Sequence, residues 1–201
     1  MPTRSLSVRT ASGRPPTAAE LARREQLIEA TIELVAEVGW RGFTIQRVAD
    51  AVGVTKAAVI YHVGSREQLV RAAYQRVIDA FIGAVTERVA TAGDAVQVVE
   101  FTLRAQLEYF REHPDHARVI VEALGSDLGI EDSPSAPERR DALAGLILAA
   151  RGVGDAESAG VLAVLLNGAL DGAVAASLTD SSFDLAAAGE ELIALLHARI
   201  R

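Results

Sequence analysis

From Thr17 to the C-terminus, apolar residues recur at intervals of three and four, and no alternation of apolar and polar residues persists beyond a few positions. A period near 3.6 stacks side chains on one helix face, whereas a half-buried strand needs a period of two. The chain is therefore expected to be all-α. Helix starts are marked by residues whose side chains can accept from the first free backbone N–H groups. Thr17/Glu20, Ser65/Gln68 and Ser135/Glu138 have capping-box spacing. Thr44, Thr55, Asp155 and Asp184 read as N-caps, and Pro114 suits a first helical turn. The first helix is expected to bury Leu21, Leu27, Ile28, Ile32, Leu34, Val35 and Val38 and to end at Gly39. Two short helices follow, from Thr44 through Ala51 and from Thr55 through His62. A long helix then starts at Ser65 and carries Leu69, Val70, Ala73, Val77, Phe81, Val85 and Val89. Further helices are expected near 94–112, 114–124, 137–151, 155–178 and 185–200.

Half of the residues are apolar and 23% are charged, which allows a well-filled core over most of the 201 residues. The absence of cysteine excludes disulfides, thiolate metal sites and a cysteine nucleophile. The most apolar run, 159–178, is interrupted by Asn167 and Asp171, and no apolar signal-peptide core opens the chain. The expectation is a cytoplasmic protein with no membrane partner. The net charge of −7 argues against a nucleic-acid partner until its distribution is considered. Up to Arg76 there are 11 bases and seven acids, a net +4; beyond it there are nine bases and 20 acids, a net −11. Only one end of such a chain can approach phosphate. Residues 1–16, with Arg4, Arg9 and Arg14, lack apolar periodicity and are expected to be a flexible basic arm. Residues 126–135, rich in Gly, Asp and Ser, are expected to be a mobile loop.

The most informative segment runs from Thr44 to His62. Val48, Ala49 and Val52 give the first short helix an apolar face, Gly53 permits a tight turn with positive φ, and Val54 fills the angle beyond it. Val59 and Ile60 are expected to face inward. That leaves Thr55, Lys56, Ala57, Ala58, Tyr61 and His62 outward, as on a recognition helix whose first residues meet base edges in the major groove.

This segment resembles the TetR family of transcriptional regulators. The likeness runs from Arg24-Glu-Gln-Leu-Ile-Glu-Ala30 through Gly39, Phe43-Thr44, Val48-Ala49, Val52-Gly53-Val54-Thr55-Lys56 and Tyr61-His62 to Ser65-Arg66-Glu67-Gln68-Leu69. The chain departs from the family pattern at Ala57, where glycine is frequent, at Ile60, where tyrosine is, and at Val63-Gly64, where phenylalanine-proline is. The resemblance implies an N-terminal three-helix helix-turn-helix DNA-binding domain, here residues 17–64, and a C-terminal helical ligand-binding and dimerisation bundle, residues 65–201. It implies that Thr44, Arg47, Tyr61, His62 and Arg66 hold phosphates while Thr55, Lys56, Ala57 and Ala58 meet bases. The partners would be double-stranded operator DNA, a small-molecule effector and a second copy of the chain.

In the acidic half, small residues on the helix near 155–178 permit close approach of two backbones. Leu162, Leu165, Gly168, Ala169 and Gly172, with Leu192 and Leu196 on the last helix, are the candidate dimer interface. Phe81, Phe101, Leu103, Gln106, Leu107, Phe110, Leu146 and Asn167 are candidate ligand-pocket residues. His113 and His116 stand one turn apart, a spacing usable by a metal, but no third ligand accompanies them. No serine elbow, glycine-rich phosphate loop or carboxylate pair appears, so neither an enzyme nor a cofactor is expected. Two functions fit: a ligand-responsive DNA-binding regulator, most simply a repressor released by a small molecule, or a helical small-molecule or partner-binding protein that has lost specific DNA binding.

Overall fold

A computed structural model describes residues 15, 17–124, 136–152 and 154–200. Among them the chain forms nine helices and no strand: α1 Ala18–Gly42, α2 Ile45–Val52, α3 Lys56–Val63, α4 Arg66–Val89, α5 Ala95–Glu112, α6 Pro114–Leu124, α7 Ala136–Arg151, α8 Ala156–Thr179 and α9 Leu185–Ile200. The expected arm (apart from Pro15), the expected loop at 126–135 and the Ser135 capping box lie outside the described residues. Two compact units are formed, Met1–Arg76 and Val77–Arg201.

The first unit is built from α1, α2, α3 and the opening turns of α4. At the start of α1 the capping box is present in both directions: Thr17 Oγ1 accepts from the Glu20 N–H, and Glu20 Oε2 accepts from the Thr17 N–H at 2.7 Å. The core contains Leu27, Ile32, Val35, Val48, Val59, Leu69 and Ala73. Thr31 is buried among them, its hydroxyl donating to the Leu27 carbonyl at 2.7 Å. Gly39 ends the regular part of α1, as expected. It adopts φ 67° and ψ 170°, which breaks the helix before a last turn that resumes to Gly42. The break carries Trp40 and Phe43 into the core, edge to face with ring centroids 6.3 Å apart, and both are essentially fully buried. Ion pairs from Arg76 to Glu25 and Glu29 tie α4 to α1 along the surface.

Two core expectations are corrected here. Leu21 is 45% exposed, because it sits in the first turn of α1 where nothing covers it. Ile60 is 38% exposed, and the second inward residue of α3 is Val63, one turn after Val59.

The second unit packs α5, α7, α8 and α9 around Leu103, Leu107, Phe110, Leu143, Ile147, Leu166, Leu170, Leu192 and Leu196, with α6 alongside. Gly189 lets α9 come close to α5: a Cβ there would lie 3.1 Å from Leu107 Cδ1. Polar ties join the same helices. Arg104 on α5 binds Glu100 and, with both terminal nitrogens, Glu190 on α9. His197 Nε2 lies 2.9 Å from the Glu100 carboxylate. Burial pushes Glu100 up, but its hydrogen bonds from Arg104 and His197 outweigh this and hold it below the usual carboxylate range. Arg139 on α7 is bidentate to Asp171 on α8 at 3.0 and 3.2 Å.

The contrast between the two leucines of α1 is directly measurable. Leu27→Ala should cost about 2–5 kcal/mol of stability by leaving a cavity, whereas Leu21→Ala should change it by no more than about 0.5 kcal/mol. Urea unfolding of the two variants followed by circular dichroism would reverse this order if Leu21 were the core residue.

Candidate nucleic-acid interface

Geometry at the α2–α3 corner follows from three local constraints. Thr44 sits in extended conformation before α2 and accepts from the Arg47 N–H at 3.2 Å. Gly53 closes α2 in the left-handed region, φ 70° and ψ 37°, and the Val54 N–H returns to the Ala49 carbonyl at 2.9 Å. Beyond the adjoining backbone, nothing crowds the place where a Gly53 Cβ would stand, so backbone conformation rather than crowding calls for glycine. Thr55 then opens α3, accepting from the Ala58 N–H at 3.1 Å.

With Val59 and Val63 anchored inward, α3 presents Lys56, Ala57 and Tyr61 outward, while Ala58 and His62 are half-buried at the margins. Tyr61 is 63% exposed and meets the His62 ring edge to face at 5.1 Å. Its hydroxyl approaches Glu20 Oε1 at 3.5 Å. Thr44, Arg47 and Thr55 are also exposed, and one Arg47 nitrogen donates to the Gly42 carbonyl at 3.3 Å. Arg66 is placed differently. It is half-buried, donates to the Trp40 carbonyl at 3.2 Å and lies over the Phe43 ring at 5.2 Å, so much of its guanidinium binds the unit's own interior. The exposed Ile60 edge was hidden from sequence reasoning by assigning two consecutive residues, 59 and 60, to one inward face. A strict 3.6 period selects Val59 and Val63 instead.

The candidate pocket residues of the second unit are mostly parts of a filled core. Leu103, Leu107 and Phe110 are buried, with Phe81 and Leu146 packed against the same cluster. Phe81 stacks on Phe110 at 4.9 Å and meets Tyr109 edge to face at 5.5 Å. Half-buried Phe101 lies under the Arg88 guanidinium at 4.7 Å, and Gln106 donates to the Thr102 carbonyl of its own helix. Asn167 is half-buried on α8. Surface clefts lie among the described residues. One, of about 110 Å³, runs between α5 and α9 beside Leu107 and Gly189; another, of about 280 Å³, lies beside Phe110, Pro114, Leu178 and Phe183. Of the candidate walls, the clefts include only Leu107 and Phe110. The histidine pair closes the α5–α6 corner: the rings stack at 5.3 Å, and the Tyr109 hydroxyl lies 2.6 Å from His116 Nδ1. Burial pushes the Tyr109 phenol up to about 12.

The candidate dimer residues divide into two sets. Leu165, Gly168, Ala169 and Gly172 are exposed on α8, whereas Leu162, Leu192 and Leu196 belong to the unit's own core. Sequence reasoning missed Val161 and Val164 on α8, 58% and 54% exposed, and Leu195 on α9, 58% exposed. The signal was present: α8 is apolar on every side, with a mean hydropathy of 1.8 that would suit a bilayer. Inward, however, it packs Leu162, Ala163, Leu166, Leu170 and Val174 in the unit's core, and Val161, Val164, Leu165, Gly168 and Gly172 form the other face.

Comparison with known proteins agrees with this geometry. Residues 27–73 match the family model for bacterial regulatory proteins of the tetR family. The HTH-type transcriptional regulator BetI of Stenotrophomonas maltophilia is 32% identical over 80 residues, 40% of this chain and 41% of that one. The HTH-type transcriptional repressor KstR2 of Mycobacterium tuberculosis is 24% identical over 100 residues, 50% of this chain and 49% of its own length. The chain thus spans about half or less of the length of these curated relatives. The fold likeness extends further: a TetR-like transcriptional regulator from Rhodococcus sp. RHA1 superimposes with a TM-score of 0.75 over 92% of this chain and 97% of its own, at 18% identity. A transcriptional regulator of Saccharomonospora viridis, solved in complex with choline, gives 0.75 over 88% and 96% at 19% identity. Residues 27–73 thus match the tetR family of bacterial regulatory proteins, and the chain as a whole has a TetR-like fold.

Proposed function

We propose that the chain is a ligand-responsive transcriptional regulator, a homodimeric repressor that a small molecule releases from operator DNA. The observation that carries this reading is the exposed face of α3, with Lys56, Ala57 and Tyr61 held outward by the Thr55 cap and the Gly53 turn. The first unit's net +4 in a chain of net −7 supports it. Lys56 and Ala57 stand at the start of α3, where a recognition helix meets base edges, and Tyr61 stands one turn on, where a hydroxyl meets phosphate.

Anisotropy titrations of duplex DNA at matched salt test this placement. Lys56→Ala should weaken operator binding by about 1–3 kcal/mol if it reads a base. Tyr61→Phe should weaken binding to all duplexes alike. Wild-type affinity in both variants would remove α3 from the DNA.

The second copy is proposed to dock on the exposed α8 face, joined by Leu195 of α9. A helix apolar on both sides needs two buried faces, and one chain supplies only the inner one. A twofold dimer also sets two recognition helices to read two half-sites. Leu165→Glu should give a folded monomer in sedimentation at micromolar concentration, since the side chain makes no part of the chain's own core. An unchanged dimer would place the interface elsewhere.

Release by an effector rests on the family likeness and on the S. viridis relative with its bound choline. Linkage then requires that operator weaken effector binding by the same factor by which effector weakens operator binding. With a ligand found by thermal-shift screening, affinity should fall when saturating operator is present. Equal affinities would leave a constitutive DNA binder.

A further inference from the structure

Glu20 caps α1 and also approaches α3. Its carboxylate is held in a fixed place: Oε2 accepts from the Thr17 N–H at 2.7 Å and from the Thr17 hydroxyl at 2.9 Å. The second oxygen, Oε1, lies 3.5 Å from the Tyr61 hydroxyl, across 41 residues of sequence. Tyr61 is 63% exposed on α3, and its ring meets His62 edge to face. An anion thus sits beside a hydroxyl that, on the functional reading above, has a DNA phosphate to bind.

Two physical effects oppose each other at this point. A tyrosine hydroxyl has one hydrogen, and carboxylate and phosphate oxygens both only accept, so Tyr61 serves one of them at a time. A fixed negative charge next to an arriving phosphate also repels it, the more so as water leaves the contact. We propose that Glu20 is a positioning residue that holds Tyr61 back from the phosphate backbone and lowers the affinity of the first unit for DNA. The proposal rests on the placement of Tyr61 at the DNA. It acts on phosphate contacts, so it restrains binding to any duplex regardless of sequence.

Glu20→Gln separates this role from the cap, because capping boxes accept glutamine as well as glutamate. The full chain, Glu20→Gln, Tyr61→Phe and the double variant are titrated with a fluorescein-labelled duplex of mixed sequence. Glu20→Gln should unfold at the wild-type temperature and bind about three- to tenfold more tightly at low salt. The gain should shrink as salt rises from about 50 to about 200 mM, because the repulsion is screened. In the Tyr61→Phe background the gain should be smaller than in the wild type, leaving only the direct repulsion, as coupled neighbours are non-additive. If Tyr61→Phe weakens binding while Glu20→Gln binds no better than wild type, the restraint is overturned and α3 stays at the DNA. A gain of equal size with and without the Tyr61 hydroxyl overturns the route through Tyr61. Wild-type binding by Tyr61→Phe would remove Tyr61 from the DNA, overturning both the functional placement and this role.

Discussion

Every helix begins with backbone N–H groups that no preceding turn can satisfy, and this chain meets that constraint with side chains at most of its helix starts. Thr17, Thr44 and Thr55 accept from N–H groups of α1, α2 and α3, Asp94 from α5, Asp155 from α8 and Asp184 from α9. Each such cap contributes about 1 kcal/mol, but its larger effect is to fix where a helix starts and so which residues fall on which face. Thr55 illustrates this. Moving the start of α3 by one residue would rotate Lys56 and Tyr61 by about 100° around the helix and turn the exposed arc away from its present direction.

Because caps are local, they were legible from the residues alone. The starts of α1, α2, α3, α5, α8 and α9 and the Gly53 turn follow from side chains within three positions of each boundary. What escaped were facts settled by distant packing. Gly39 does break the helix, but the further turn to Gly42, which accompanies the burial of Trp40 and Phe43, was not foreseen. Leu21 has the right period for a core residue but lies in the first turn, before the rest of the unit begins to cover α1. Arg66 reads as a surface cation, and only the fold brings the Trp40 carbonyl and the Phe43 ring beneath it.

The second unit marks a different limit. Periodicity finds an apolar face when the opposite face is polar, and α8 has no polar face to contrast. Sequence therefore placed Leu162 and Leu165 together; they are neighbours one turn apart, but the edge of the buried face falls between them, leaving one in the core and the other 63% exposed. The candidate pocket failed to separate for a related reason. Leu103, Leu107 and Phe110 have the composition of a ligand wall and of an ordinary core, and here they fill the space between α5, α7, α8 and α9. Among those candidates, Phe81 and Phe110 came together in one aromatic group with Tyr109.

The outer face of α8 has a consequence for the molecule's life at low copy number. Val161, Val164, Leu165 and Leu195 are exposed to water, and on the proposed pairing a second chain would cover them. Any stability contributed by pairing follows mass action, so newly made chains in a dilute cell would be the least protected. If the chain pairs as proposed, its stability would therefore rise with its own concentration.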